Sequence, residues 1–239
     1  MTDISEKSLA EIVTLHHQTA TVFEKHNLDF CCKGRRTLQE ACGEKGLSLT
    51  SILEEINNIS TAKKEIRIND MDAEQLVNYI IFYHHDYIRQ SIPVILNHAN
   101  KVAQSHGDRY PYMTKVCTLF NILAEEMTSH IKKEEAILFP RIKEIYDLHK
   151  QKSNSDNYAV SYLQMLIDAM EHEHETAGEL LAEIRQLTND YTIPENACTT
   201  FKVCLAELKE FEEDLHKHVH LENYTLFPMA IKLASELAE

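Results

Sequence analysis

The chain has 239 residues, a net charge of −14 and a hydrophobic fraction of 44%, which is ordinary for a globular protein that buries a core. The negative charge disfavours nucleic acids and anionic membrane surfaces as partners, because their phosphate groups would be repelled. Only five glycines, five prolines and no tryptophan, beside long stretches of Leu, Ile, Glu, Lys and Ala, predict an all-α fold.

No segment of the sequence predicts membrane insertion or secretion. A run of about 18 apolar residues, the minimum for a membrane-spanning helix, is not found. The first residues lack the basic start and the unbroken apolar core of a secretory signal. We therefore expect a cytoplasmic protein, in which the six cysteines would be mostly reduced thiols.

Residues 1–60 predict a small helical domain. Its short helical patterns are interrupted by HNLDFCCKGRR and by GEKG. Thr37 followed by Glu40 predicts a capping box that opens a short helix, and Gly46 predicts its end. Residues 61–72 are polar and have no apolar stripe, so they are predicted to link this domain to the rest of the chain.

Residues 73–239 predict four long helices that pack as a bundle. We expect Asp72 and Gln75 to cap the first helix, and we expect a kink at Pro140, since proline removes a backbone donor. Pro194 is suited to the opening of the fourth helix. The predicted spans run from Asp72 to His106, from Pro111 to His149, from Tyr158 to Leu187, and from Pro194 to at least Phe227, with QKSNSDN as a loop.

Two segments of the predicted bundle resemble each other. HIKKEEAILFP at 130–140 and HVHLENYTLFP at 218–228 each place Glu four residues after His, followed by Leu-Phe-Pro. A further pair, His85 and His174, is offset by 89 residues, against 88 for the repeated motif. Two helical hairpins of similar design, each contributing similar groups to one centre, would produce this pattern.

Histidine, or histidine plus glutamate, interrupts the apolar stripe of every predicted helix. The spacing of four residues places His and Glu of the repeated motif on one helical face. Buried carboxylates without a nearby Lys or Arg would be unstable as bare ions. Metal ions resolve this problem, because they bind deprotonated carboxylates and neutral imidazoles. The predicted ligands are His85, His130, Glu134, His174, His218 and Glu222.

Spacing alone does not decide between His84 and His85, or between His172 and His174. We favour His85 and His174, because the helical stripes of the two neighbouring histidines are more polar. Glu126 lies one turn before His130 and is a candidate outer partner of that ligand.

The ligand types predict the metal. Imidazole and carboxylate without thiolate favour iron, leave manganese open and disfavour Cu(I) and iron–sulfur clusters. Six ligands exceed the needs of one tetrahedral zinc ion. We therefore expect a non-haem di-iron centre, two Fe ions bridged by both glutamates and by an oxo or hydroxo group. The order His-x-x-x-Glu differs from the Glu-x-x-His of ferritin-like oxidases.

Cys31 and Cys32 form a candidate thiol pair. The positive charges of Lys33, Arg35 and Arg36 follow them and are expected to lower the thiol pKa. The pair could serve redox chemistry or transient metal handling. Adjacent cysteines do not easily bind one ion without help, so we do not expect a structural zinc site there.

These motifs resemble those of the Repair of Iron Centres family, di-iron proteins that repair iron–sulfur clusters. The resemblance is carried by DFCCKGRRTLQEAC, HIKKEEAILFP, EHEHETAGELL and HLENYTLFP. It implies a haemerythrin-like bundle and a cytoplasmic role in restoring clusters damaged by nitric oxide or oxidants, by supplying iron. The family's ligands fall on the six residues named above, and its double cysteine on Cys31 and Cys32. Lys33 is a departure, because the family commonly continues with glycine.

Other functions stay open beside iron donation to apo or damaged iron–sulfur proteins. The centre could be an enzyme site that reduces nitric oxide or peroxide. It could also bind oxygen or another gas, although haemerythrin uses more histidines than the four found at good positions here. A purely structural metal site is the last alternative. The sequence leaves open the electron donor, any homodimer and the identity of catalytic residues.

Overall fold

The computed structural model describes residues 4–58, 68–152 and 160–238. Within these ranges the chain forms helices, and β-type pairing is limited to one isolated antiparallel bridge between Ser8 and Thr37. The all-α prediction is therefore confirmed. Most of the predicted linker and of the predicted QKSNSDN loop lies outside the described residues. None of the helices in these ranges has the length and apolar composition needed to span a bilayer.

Four short α-helices form the N-terminal part of the structure, together with two 3₁₀ turns, Ile4–Glu6 and His17–Thr19. The third of these α-helices begins at the predicted capping box, in which Thr37 and Glu40 exchange hydrogen bonds between side chain and backbone. It ends at Gly46, whose φ of 66° lies in the left-handed region. The four are α1 (Leu9–Leu15), α2 (Ala20–Lys25), α3 (Leu38–Lys45) and α4 (Leu49–Asn58).

Two glycines near the end of α3 are expected to respond to alanine with opposite signs. Gly46→Ala should destabilise the protein by about 1 kcal/mol, because the left-handed conformation strains a residue with a Cβ. Gly43→Ala should stabilise it by up to about 1 kcal/mol, because Gly43 lies inside the helix. Neither added methyl group would meet an atom within 4 Å, so backbone conformation decides both results. Urea denaturation of the two variants measures them, and changes of the same sign would contradict this account.

The four long helices of the bundle follow in chain order. The first contains α5 (Ala73–Ile80), π1 (Ile81–His85) and α6 (Asp86–His106); the second contains α7 (Tyr112–Lys133), π2 (Glu134–Leu138) and α8 (Phe139–Lys150); the third is α9 (Val160–Leu187); the fourth contains α10 (Thr199–Leu221), π3 (Glu222–Leu226) and α11 (Phe227–Leu237). Asp72 caps α5 as predicted, since its side chain accepts a hydrogen bond of 2.9 Å from the Gln75 backbone.

Each π-helical turn lies at a predicted ligand. His85 ends π1, while Glu134 and Glu222 begin π2 and π3. A π turn accommodates one extra residue and so rotates the face of the helix that follows it. A regular helical period would place Ile137 on the core face with His130 and Glu134. Ile137 is instead 49% exposed, whereas Leu138 is buried.

The structure bears on two predictions based on proline. Pro140 lies in the first turn of α8, directly after the π turn of the second helix, and the kink there stays a prediction. Pro194 does not open the fourth helix, because α10 begins at Thr199. The proline lies in the preceding loop.

The buried apolar residues form two clusters, and the predicted ligands separate them along the bundle helices. The first cluster also includes the core of the N-terminal part. Flanking residues in the first cluster are Ile88, Met127, Ala177 and Leu215, and those in the second are Ile80, Leu138, Met170 and Leu226. The polar residues therefore occupy one layer between two apolar ones.

The N-terminal part packs against the fourth bundle helix. Phe30 is buried, and its ring lies 6.2 Å from the ring of His216 and 5.5 Å from that of His220. His216 also lies 2.8 Å from the carboxylate of Glu24. These contacts place the double-cysteine segment beside the bundle.

Candidate metal centre

The structure brings the six predicted ligand residues together in one layer of the bundle. Each of these side chains is at most 1% exposed. Each of the four histidines comes from a different bundle helix, and the two glutamates come from the second and fourth helices. The two copies of the repeated motif therefore meet His85 and His174 at one place in the bundle.

The ligand atoms fall into two groups of four that share both glutamates. Within each group the atoms all lie within 4.8 Å of one another. One group is His85, Glu134, His218 and Glu222, and the other is His130, Glu134, His174 and Glu222. Each group could hold a metal ion, and both carboxylates are common to the two groups.

Each glutamate lies between histidines of two helices. The Glu134 carboxylate is 3.3 Å from His85 Nε2 and 3.4 Å from His130 Nε2. The Glu222 carboxylate is 3.1 Å from the Nε2 atoms of both His174 and His218.

The imidazoles themselves converge in pairs. The Nε2 atoms of His85 and His218 are 3.2 Å apart, and those of His130 and His174 are 3.1 Å apart. Two nitrogens that bind one ion at about 2.1 Å with an angle near 90° lie about 3 Å apart. The two pairs therefore have the spacing expected of ligands to a common ion.

The buried carboxylates require positive charge. Within the described residues, none of the four oxygens of Glu134 and Glu222 has a hydrogen-bond partner. Burial opposes their negative charge, yet His218 and His174 hold the pKa of the Glu222 carboxyl well below its usual range. Burial likewise opposes a proton on His130, but the surrounding carboxylates raise its pKa to about 10. Nitrogen and oxygen donors in such a field suit iron or manganese.

In both repeated motifs, the residue directly after the glutamate lies within hydrogen-bond distance of the predicted ligand histidine on the preceding bundle helix. His85 Nδ1 lies 2.7 Å from the Glu135 carboxylate, which also pairs with Arg89. His174 Nδ1 lies 2.9 Å from the Asn223 side-chain oxygen. These acceptors place the proton on Nδ1, so that Nε2 faces the centre as a ligand.

Glu173 is the outer partner of His130. The His130 Nδ1–H donates to it at 2.8 Å, and Lys133 pairs with the same carboxylate. The hydrogen bond from His130 lowers the pKa of Glu173 to about 2. Glu126, predicted for this role, is exposed. That prediction is wrong, because His130 directs Nδ1 towards the third helix rather than back along its own.

His84 holds the position in the first hairpin that Glu173 holds in the second, one residue before a ligand histidine. Its ring stacks on His218 at 5.7 Å, and its Nδ1 lies 3.1 Å from Asp214. Within the described residues, His218 Nδ1 has no hydrogen-bond partner. His85, not His84, therefore faces the centre, and the two hairpins differ at this position.

The structure also separates the second pair of histidines. His172 has a side chain that is 80% exposed, whereas His174 is buried in the centre.

Sequence reasoning missed the outer partners Glu135, Glu173 and Asn223. The repeated motif contained a signal for two of them, since Glu135 and Asn223 occupy the same position after Glu134 and Glu222. No comparable signal marked Glu173, because the equivalent position of the first hairpin holds a different residue, His84.

Cys31 and Cys32 lie outside this centre. Cys31 is buried, and its hydrogen bond with Cys32, its burial and the Asp29 carboxylate raise its pKa well above the usual range. The prediction of a lowered pKa is therefore wrong for Cys31. Lys33 and Arg35 are exposed to solvent, so their charges act on the thiol less than that of the adjacent carboxylate.

Neutralising an outer carboxylate is expected to weaken metal binding. Glu135→Gln and Glu173→Gln should each lower affinity by about 10- to 100-fold, because the ligand histidine loses a charged acceptor. Competition against a chelator of known affinity measures this change. Glu126→Gln serves as the control and should leave affinity unaltered, since Glu126 is exposed. A similar loss in all three variants would contradict the assignment of the outer partners.

Two protein-family models match the chain. The hemerythrin HHE cation binding domain matches residues 76–230, and a domain of unknown function, DUF542, matches residues 5–60. The iron-sulfur cluster repair protein ScdA of Staphylococcus epidermidis is 31% identical over 225 residues, which cover 93% of this chain and 96% of that protein. The iron-sulfur cluster repair protein YtfE of Cronobacter sakazakii is 33% identical over 226 residues, which cover 95% and 96%. YtfE of Shigella boydii is 34% identical over 227 residues, which cover 95% and 97%.

Proposed function

We propose a function from the premise that the chain belongs to the family of iron–sulfur cluster repair proteins with a DUF542 domain and a hemerythrin HHE cation-binding domain. The protein repairs damaged iron–sulfur clusters, and its partners are apo or damaged iron–sulfur proteins. It does so by donating iron from the bundle. The observation that carries this proposal is the pair of ligand groups that share Glu134 and Glu222.

Six residues hold two iron ions in this proposal. His85 and His218 bind one ion, His130 and His174 bind the other, and both glutamates are shared. The chemistry of the donors supports iron, because neutral imidazoles and carboxylates suit Fe²⁺ and Fe³⁺. Four protein ligands for each ion are fewer than the six that iron accepts in octahedral sites, and this leaves the ions exchangeable by incoming ligands.

The protein's own residues fix the donors and exclude water. The outer acceptors keep the imidazoles of His85, His130 and His174 in one tautomer. The apolar clusters cover the layer on both sides. The two shared carboxylates neutralise part of the charge of both ions. If one ion left, these buried carboxylates would have less positive charge beside them, which makes that loss unfavourable. Iron should therefore leave only when an acceptor with stronger ligands competes for it.

The position of His84 disfavours oxygen carriage of the haemerythrin type. Carriage would need a further histidine ligand beside the four. The nearest candidate, His84, stacks on His218 and does not belong to either group of converging ligand atoms found among the described residues.

Iron transfer tests the proposal directly. Protein loaded with ⁵⁷Fe is mixed with an apo iron–sulfur protein and sulfide, and ⁵⁷Fe in the rebuilt cluster is followed by Mössbauer spectroscopy. We expect transfer from the wild type. A Glu134→Leu/Glu222→Leu variant, supplied with the same total iron, should give little. Equal recovery with both proteins would overturn the proposal.

A further inference from the structure

A second group of metal-binding side chains lies between the N-terminal part and the bundle. Asp29, Cys31 and Cys32 place a carboxylate oxygen and two thiols within 4.8 Å of one another. They line a cleft of about 890 Å³ that also borders α9 of the bundle. The bundle centre does not use these residues.

The Asp29 carboxylate holds the two cysteines in a fixed turn. Its Oδ1 accepts hydrogen bonds from the backbone N–H groups of Cys31 at 3.1 Å, Cys32 at 2.9 Å and Lys33 at 3.2 Å. The Cys31 thiol lies 3.3 Å from the same oxygen. This turn brings together two adjacent cysteines that would otherwise diverge.

The spacing of the sulfur atoms matches a tetrahedral metal site. Cys31 Sγ and Cys32 Sγ are 3.7 Å apart. Two thiolates that bind one ion at about 2.3 Å with a tetrahedral angle lie about 3.7 Å apart. The turn therefore arranges both thiols for one ion before any ion binds.

The site lies directly against the helix that carries a ligand of the bundle. Cys32 Sγ is 3.8 Å from the backbone oxygen of His174. One turn later, a Cβ added at Gly178 would lie 3.3 Å from the same sulfur atom. A glycine inside a helix costs about 1 kcal/mol relative to alanine, and here it permits the close approach of the thiol.

We propose that Asp29, Cys31 and Cys32 form a second, transient metal site, which receives Fe²⁺ released by the bundle centre and passes it to a thiolate-ligated acceptor. The ion replaces the two thiol protons, which go to solvent, so the site changes no oxidation state. This inference rests on the proposed iron donation.

The bundle centre and the acceptor protein hold iron with different ligands, and this difference explains the need for such a site. The bundle holds iron with nitrogen and oxygen, whereas iron–sulfur clusters are held by cysteine thiolates. A site with two sulfur ligands and one oxygen ligand is intermediate between them. Exchange of ligands can then proceed in steps.

Cobalt titration tests the site. Co²⁺ is added anaerobically to the full-length, iron-loaded protein, and difference spectra are recorded. We expect a thiolate-to-cobalt charge-transfer band that saturates at about one ion per chain. Cys32→Ser and Cys31→Ser should abolish the band. Asp29→Asn, whose amide oxygen can still accept the backbone hydrogen bonds, should raise the half-saturating Co²⁺ concentration by about tenfold.

The control distinguishes this site from another cysteine near a histidine. Cys198 Sγ lies 3.2 Å from His106 Nε2, and Cys198→Ser should keep the charge-transfer band. Circular dichroism and the iron content of the bundle verify that each variant is folded. Absence of the band in the wild type, or its persistence in Cys32→Ser, would overturn the inference.

A second readout connects the site to iron release. Cys32→Ser should retain the iron content of the wild type but transfer ⁵⁷Fe to the apo acceptor several-fold more slowly. Unchanged transfer would remove the site from the pathway. Should the wild type transfer no iron at all, the proposed function fails, whereas the cobalt spectrum would still decide whether the thiol site exists.

Discussion

Glu134→Leu is expected to abolish binding of both metal ions and yet to stabilise the metal-free protein. Glu134 belongs to both ligand groups, so its loss removes a shared donor from each ion. In the metal-free protein, its carboxylate is fully buried and has no hydrogen-bond partner within the described residues. Replacing a buried ion pair by apolar groups stabilises proteins by about 1–4 kcal/mol in favourable cases. His85 and His130, which lie beside Glu134, can release their protons once the carboxylate is gone, so the variant leaves no unpaired buried charge. We therefore expect a similar gain here.

The two effects are measured separately. Metal content after reconstitution and desalting should fall from the wild-type value to near zero. Urea denaturation is then compared for the two chelator-treated proteins, and the variant should have the higher midpoint. Glu126→Leu is a matched control on the same helix, exposed at the surface, and should retain the metal with a change in stability within about 0.5 kcal/mol. A less stable metal-free Glu134→Leu, or one that keeps both ions, would refute this interpretation of the centre.

The ligand positions could be predicted because burial of polar residues leaves a pattern in the sequence. On the fourth helix, the apolar stripe from Phe201 to Leu215 leads directly to His218 and Glu222, and the structure buries all of it. The helical period identifies the buried positions wherever the helix is a regular α-helix, as it is from Phe201 to His218.

The π turns could not be predicted from the same pattern. They add one residue to a turn, and tertiary packing rather than local preference stabilises them. The period of 3.6 residues therefore assigned Ile137 to the core, although the structure buries Leu138 instead. It also presented His84 and His85 as alternatives, whereas π1 buries both and gives them different partners.

Contacts between distant segments account for the other differences. Lys33 and Arg35, close to Cys31 in sequence, are exposed, whereas Cys32, burial and the Asp29 carboxylate act on its thiol. Glu173 reaches His130 from another helix. Such pairs depend on how helices are placed against each other, and the order of residues along one helix does not reveal them.

Arg185→Met is expected to lower stability by about 3 kcal/mol, because the buried Glu212 carboxylate loses the cation to which it is hydrogen-bonded. His216 also acts on this carboxylate, but it makes no hydrogen bond to Glu212 that could replace those of Arg185. Arg185 donates to the Glu212 carboxylate at 2.6 Å, and Glu212 is only 3% exposed. Tyr191 donates to the other oxygen of Glu212 at 2.9 Å, which does not replace the lost charge. Arg185 also donates to Asn27 at 2.6 Å, so the same variant loosens the contact between the N-terminal part and the bundle.

A double variant separates the lost charge from the lost packing. Arg185→Met/Glu212→Leu should recover most of the stability, because no buried charge is left unpaired. Equal losses in the single and double variants would show that packing, not charge, accounts for the effect, and would contradict the prediction.

The deficit of Arg185→Met should also depend on pH. Burial raises the pKa of the Glu212 carboxyl even beside Arg185, and removal of the cation should raise it further. The folded state then holds this proton more tightly than the unfolded state, so stability falls as the pH rises from the ordinary carboxyl pKa through the folded one. We therefore expect a smaller deficit near pH 5 than at pH 7 in urea denaturation. A deficit that is constant or larger at acid pH would show that the ionised carboxylate is not its cause, because protonation of Glu212 is the step that relieves the unpaired charge.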